Sequence, residues 1–455
     1  MRLEGGLGSS ALPSTLVARG RSRDRQTVAV VGCYALTLFI FPSDLVLQVV
    51  GAQGYVAGLV ALALLLGWLL SVLLGAHDPR VVRHPTRGVL AWLAATSLVC
   101  WALTPFHGLT LTQQLSADRW IMLIAASAGV VLVVAEGLTS RPALMTVLRL
   151  TVLGAAFCSL VALIQWLLFV DLSAYIRQLL PGFSINSTYS AFQTRGGLQR
   201  VTGTALHPIE LGVIAGMILP VAIVVAMHDR ERSGLARWTP VTLIASAVPA
   251  SVSRSAVLAV GVSIVFLILA LPARPRVTAM VFVPIGAACL VLARPGYLTT
   301  LVAFVGAGSD DASVASRLDD YPMVVRLISE HPWFGTGGGT FMPDNALDIL
   351  DNQYLKGAIE LGLIGLTGML VWLLVPIGVA LAARRRSVDP TLRAASGALA
   401  GAAAAAAVSS ATFDSLSFNM FVGVHALVVG CIGACWVLSE RERRMPAEVA
   451  ADNRS

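Results

Sequence analysis

Apolar residues in this chain gather in long runs instead of alternating, and short links rich in arginine, glycine and proline separate the runs. A helix that crosses a bilayer needs roughly 20 mainly apolar residues, because lipid offers no partner to backbone N–H and C=O groups and a helix satisfies them internally. Twelve such runs can be read, at about 27–47, 55–75, 88–104, 119–137, 145–170, 208–228, 237–252, 254–271, 277–293, 355–382, 393–413 and 417–438. The seventh and eighth meet in a very tight turn. Two polar stretches, 171–207 and the longer, acidic 294–354, interrupt the series. The pattern predicts an all-α polytopic membrane protein with about 12 transmembrane helices and a large loop between the ninth and tenth.

Each loop has its own periodicity. In the first, Leu172, Tyr175, Ile176, Leu179 and Leu180 follow helical spacing and predict a short helix lying in the membrane surface. A Ser-, Thr- and Asn-rich stretch follows, and Pro208 suits the first turn of the sixth span. The second loop opens with GAGSDDASVAS, continues as an amphipathic helix in which Leu318, Tyr321, Val325 and Ile328 share a face, and ends in the turn FGTGGGTF.

Composition agrees: 56% hydrophobic and 13% charged residues, with a mean hydropathy of +0.78, exclude an ordinary soluble domain. The net charge of +7 is mainly a topology signal. With the N-terminus inside, 22 of the 32 basic residues fall in cytoplasmic segments, which places both termini in the cytoplasm and both long loops outside. No compact basic region with interleaved aromatics suggests nucleic-acid binding. Residues 1–26 read as a disordered cytoplasmic tail and 439–455 as a second one, with five spans over 27–170, four over 208–293 and three over 355–438. All six cysteines lie in apolar runs and read as small buried hydrophobes, with no disulfide framework and no metal site. Lys356 is the only lysine, against 31 arginines.

Candidate chemistry therefore gathers in the outward segments. Arg254 stands at the turn between the seventh and eighth spans, where a guanidinium either reaches a polar cavity or binds an anion. Arg200 precedes the sixth span, with His207 at its start. Between Arg294 and Tyr354 only 3 arginines face 8 acids, so Arg317 and Arg326 need a local reason to be there. GTGGGT lacks the Gly-Lys-Ser/Thr of a nucleotide-binding loop. His331 is expected to end the loop helix, His425 to bond between helices, and Glu360 to serve packing or to support a site.

Taken in order, these residues resemble the O-antigen ligase and O-antigen polymerase superfamily of bacterial cell-surface polysaccharide assembly. The matching positions are Arg200, Gly203 and Pro208; Ser253 and Arg254; Arg317; Pro332, Gly335, Gly337, Gly339 and Phe341; and Asn352, Leu355, Glu360, Gly362 and Gly365. The resemblance covers roughly Arg200 to Gly365. It implies a GT-C-like, metal-independent glycosyltransferase without cofactor, in the cytoplasmic membrane, using undecaprenyl-pyrophosphate-linked glycans on the outer face, alongside a flippase and a chain-length regulator. Arg254, Arg200 and Arg317 would hold the lipid pyrophosphate, with His207 and Glu360 in support, because guanidinium forks bind phosphate bidentately. Asp351 and Asn352 are the candidate base and orienting group. Ligases resemble one another in a His before that Asn, and Asp351 in its place points toward a polymerase of repeat units. A ligase that transfers finished polysaccharide is the alternative.

Two other classes remain at this stage, a transporter or flippase and a non-catalytic assembly partner. Transporters often repeat one half in the other around midplane polar sites. Here the first five spans are nearly free of interior charge and the polar residues collect on one side after Arg200, which suits an outer-face enzyme better.

Overall fold

The computed structural model describes residues 14–47, 49–50, 54–186, 190–195, 197–272, 312–343 and 349–452. The ninth expected span, 277–293, and the part of the second loop's acidic lead before Ala312 lie outside the described residues, while the rest of that lead opens a helix. Helices dominate the rest: α1 (Ser14–Ile40), α2 (Val56–Leu73), α3 (Pro85–Leu103), α4 (Leu111–Gly137), α5 (Arg141–Leu168), α6 (Leu172–Arg177), α7 (Pro208–His228), α8 (Gly234–Ser251), α9 (Arg254–Ala270), α10 (Ala312–Glu330), α11 (Gln353–Arg386), α12 (Pro390–Ser409) and α13 (Asn419–Asp452). Among the described residues, eight helices are long and apolar enough to cross a membrane: α2, α3 with the turn that follows it, α4, α5, α7, α11, α12 and α13. Helix α9 is apolar but has only 17 residues. It, α1 and α8 stand where the eighth, first and seventh spans are expected.

Some boundaries differ from those read in the sequence. Helix α1 begins at Ser14, inside the segment expected to be a disordered tail, and α13 continues through the other tail to Asp452. At its far end α1 stops at Ile40 instead of reaching residue 47, because Pro42 disfavours helical backbone at Phe41. The chain then enters β1 (Leu45–Leu47), which pairs antiparallel with β2 (Phe183–Ile185), while β3 (Phe192–Arg195) and β4 (Leu198–Val201) form a second hairpin. Two small sheets therefore cap a bundle expected to be wholly helical. The first loop's helix has six residues, with Tyr175 and Leu179 of its stripe exposed. Its Arg177 has a local partner in Asp44, 2.8 Å away.

At the centre of the bundle α7, α12 and α13 are almost wholly buried, whereas α2 is peripheral. Small residues permit that crowding: a Cβ on Gly216 of α7 would lie 2.9 Å from the Val260 nitrogen of α9, and one on Gly401 of α12 would lie 2.7 Å from the Ser263 carbonyl. Without a hydrophobic drive between helices in lipid, such close backbone approach supplies much of the packing energy. His425 of α13 meets the Trp372 carbonyl of α11 at 3.2 Å, the interhelical bond expected of it. At the end bearing the termini, the buried Glu136 carboxylate accepts from Trp68 Nε1 at 2.9 Å and from Arg87, and touches His77 and His84, so α4 is tied to α2, α3 and their link.

Helix α11 is broken inside. Gly362 has φ 61° and ψ −172°, a conformation open essentially to glycine alone. The amides that the break releases find carbonyls just before the glycine-rich turn: Leu363 N–H donates to Pro332 O at 2.8 Å and Ile364 N–H to Trp333 O at 3.0 Å. Irregular backbone at a membrane helix is tolerated where protein satisfies it in this way.

Candidate functional site

The opposite end of the bundle collects the residues singled out in the sequence. Helix α8 ends at Ser251, Val252 adopts φ 43° and ψ 50°, and Ser253 caps α9 by accepting from Ala256 N–H at 3.4 Å. Left-handed backbone at a β-branched residue is strained, and here it makes the turn tight enough to put Arg254 on the first turn of α9. Strand β4 packs against α5 and α8. Arg200 lies on that strand opposite Gln193 and is only 6% exposed. Gly203 is fixed by Gln165, whose amide both accepts from its N–H at 2.8 Å and donates to its carbonyl at 3.2 Å. His207 then caps α7, its Nδ1 accepting from Ile209 N–H at 3.2 Å, and Pro208 occupies the first helical position as expected.

Facing these residues is the link from α12 to α13, residues 410–419. Thr412 Oγ1 donates to Ser255 Oγ at 2.8 Å, and the Phe418 ring centroid lies 6.0 Å from that of His207. Glu210, buried on the first turn of α7, orients the link: its carboxylate accepts from Met420 N–H at 2.9 Å and Phe421 N–H at 3.0 Å, the opening amides of α13, and from Leu206 N–H at 2.7 Å. The structure therefore brings Arg200, His207 and Arg254 to one end of α7, α8 and α9. Arg317 lies on α10, and its side chain is outside the described residues.

The start of α11 forms a second group. Asn352 is the N-cap, its Oδ1 accepting from Tyr354 N–H at 2.9 Å and Leu355 N–H at 3.2 Å. Asp351, one residue outside, is exposed. Glu360 is buried; its carboxylate accepts from Phe341 N–H at 3.3 Å and its carbonyl from Gly337 N–H at 2.7 Å, so the glycine-rich turn is wrapped on it. Between this turn, α4 and α11 lies a cavity of about 180 Å³ lined by Ser116, Arg119, Phe341, Lys356, Glu360 and Ser417. Lys356 Nζ donates to Ser417 Oγ at 2.8 Å and pairs with Asp414 at 3.4 Å. Arg119 donates to Asn419 Oδ1 at 3.2 Å. A cavity of about 540 Å³ at the other end of the bundle surrounds Glu136 and belongs to the network described there.

The sequence reading missed Arg119, Lys356, Glu210 and the 410–419 link. Signals existed for two of them: Arg119 interrupts the start of an apolar run, and Lys356 is the only lysine. Among the described residues, no group of three or more His, Cys, Asp or Glu is placed to hold a metal ion.

Fold and site together define a polytopic helical membrane protein with Arg119, Arg200, Arg254, Lys356 and the buried carboxylates Glu210 and Glu360 at the end opposite its termini. Residues 240–370 match the family described as O-Antigen ligase. This match supports a place in the O-antigen ligase and polymerase superfamily. The matched stretch runs from α8 into α11 and takes in the Arg254 turn, α10, the glycine-rich turn and the break at Gly362. It is less than a third of the chain, and Arg200, His207 and Arg119 lie before it. No curated protein matches the chain.

Proposed function

We propose that this protein is a metal-independent glycosyltransferase of the cytoplasmic membrane. It polymerises undecaprenyl-pyrophosphate-linked oligosaccharide repeat units on the outer face into a surface or exopolysaccharide. The family match supports the coarser reading, a polymerase or ligase of polysaccharide assembly. The observation that carries the mechanism is Arg254 on the first turn of α9, behind the strained turn that ends α8, the helix against which the strand bearing Arg200 packs.

In the reaction a hydroxyl of the acceptor glycan attacks the anomeric carbon of the donor. A new C–O bond forms, the bond to the pyrophosphate oxygen breaks, and lipid pyrophosphate leaves with the electron pair. Arg254 and Arg200, with Arg317 from α10, stabilise the charge that grows on the leaving group, and the N-terminal amides of α9 add to it. The hydroxyl proton passes to Asp351, an exposed carboxylate with Asn352 beside it. His207 and Glu360 hold the helix start and the glycine-rich turn that frame these groups. A flippase would deliver the lipid-linked units and a chain-length regulator would act on the product.

The family description names a ligase, so single transfer of a finished glycan is the second reading; Asp351, where ligases resemble one another in a His, favours polymerisation. Purified protein given lipid-linked oligosaccharide extracted from cells that lack it should make a ladder on a glycan gel. Arg254→Ala should lower the rate by about 10²- to 10³-fold at unchanged protein amount, the scale of a lost transition-state donor. Arg254→Lys should rescue little, since an ammonium lacks the planar fork. A normal ladder from Arg254→Ala would remove the clamp from the mechanism.

A further inference from the structure

The cavity of about 180 Å³ at the start of α11 is not used by the chemistry above. We propose that it is the acceptor subsite, taking one hydroxyl-bearing sugar residue at the growing point of the acceptor glycan, with Lys356 and Arg119 as its donors and Glu360 as its acceptor. The inference rests on the glycosyltransferase reading for the word acceptor, and on the cavity itself for sugar binding.

Its lining fits a neutral polyol and not an anion. Two cations, Arg119 and Lys356, share the wall with a buried carboxylate, Glu360, and with hydroxyls of Ser116 and Ser417. Each sugar hydroxyl both gives and accepts a hydrogen bond, so it suits a wall of mixed donors and acceptors; an anion would meet Glu360 at a cost. Phe341 supplies an apolar surface for the C–H side of a ring.

Lys356 carries the argument furthest. The chain uses arginine 31 times and lysine once, and that one lies at the wall of this cavity, 17% exposed. An ammonium has three hydrogens, and among the described residues its partners are Ser417 and Asp414. A guanidinium here would be longer and planar and would occupy the space that the compact ammonium leaves open.

Position agrees with chemistry. The link 410–419 has one flank on the arginine turn, through Thr412 to Ser255 and Phe418 to His207, and the other on the cavity, through Leu416 and Ser417. A sugar in the cavity and a pyrophosphate at Arg254 would be separated by one crossing of the chain. Joining two lipid-linked glycans requires both to be held at once, and these are two adjoining places to hold them.

Equilibrium binding tests this without turnover. The probe is the oligosaccharide released from its lipid by mild acid and tritiated; lacking pyrophosphate, it has no claim on the arginine clamp. It should bind the detergent-solubilised protein, and Lys356→Gln should weaken binding by about tenfold or more, the scale of a lost hydrogen bond to a charged group. Asp414→Asn breaks the same ion pair while leaving the ammonium in the cavity, so it separates sugar contact from loop support and should change the affinity far less. Absence of binding to the native protein, or equal loss in the two variants, would overturn the proposal. A protein that binds the sugar through Lys356 yet makes no ladder would leave the subsite standing and remove the polymerase reading instead.

Discussion

Asp351 and Asn352 are neighbours with similar side chains, and the structure gives them different tasks. Asn352 Oδ1 accepts from two amides of the first turn of α11, so Asn352→Ala should destabilise the protein by about 1 kcal/mol, while Asn352→Asp, an equally good cap, should be nearly silent. Asp351 stands one residue before that N-cap. If it takes the acceptor proton, Asp351→Asn should slow polymer formation by about 10²- to 10⁴-fold with unchanged thermal stability, and a full ladder from the variant would place the base elsewhere. The two roles were not separable from the letters, because Asp and Asn are both strong caps and only backbone geometry says which one starts the helix. Arg254 was legible for the opposite reason: an arginine between two apolar runs has few structural excuses. Lys356 and Arg119 carried signals of their own, but their meaning depends on Asp414, Ser417 and Asn419, which approach from a distant link.

Among the elements, α11 shows most plainly what pattern reading reaches and where it stops. Its length and apolarity are visible along the chain, whereas its break is not, since the carbonyls that satisfy Leu363 and Ile364 come from Pro332 and Trp333 in another segment. Gly362→Ala should therefore be severe. The φ of 61° with ψ near 180° excludes a side chain, and a Cβ would stand 2.5 Å from the Phe334 nitrogen. A loss of about 3 kcal/mol or more in thermal unfolding is expected, against a small gain for Gly378→Ala farther along the same helix, where a Cβ meets nothing within 4 Å. Similar unfolding of the two variants would mean that the break is not required by the fold. Helix α10 teaches the same lesson in a milder form. Spacing favours Leu318, Tyr321, Val325 and Ile328 as its buried stripe, yet Tyr321 and Val325 are exposed, and Val324, with Met323, Leu327 and Ile328, packs against Leu350 and Ile359. Both faces of MVVRLI are apolar enough to bury, so the start of α11 decides between them. The β1–β2 pair was equally out of reach, because its strands lie on either side of four long helices.

For the whole molecule the question is which end faces out, and the distribution of arginine is the argument. The links at the end bearing the termini carry Arg80, Arg83, Arg87, Arg141, Arg230, Arg232 and Arg384 to Arg386, while the end with the cavity has few basic residues, several of them bound up with the site. By the positive-inside rule we propose that the candidate site faces outward. That orientation has a chemical consequence. Nucleotide-activated sugars are made in the cytoplasm, so on the proposed reading the energy for each new glycosidic bond would arrive stored in a sugar-phosphate bond carried across the membrane, as in the polyprenyl pyrophosphate donor proposed above. The expectation can be checked with two cysteines in a background whose six native cysteines are replaced. Ser329 is exposed on α10 and Glu231 is exposed in the link between α7 and α8, at opposite ends of the bundle. An impermeant thiol reagent added to spheroplasts should label Ser329→Cys at once and Glu231→Cys only after permeabilisation. The reverse pattern would put Arg254 and the cavity in the cytoplasm, where nucleotide sugars are at hand, and the reason for a lipid-pyrophosphate donor would disappear with the orientation that required it.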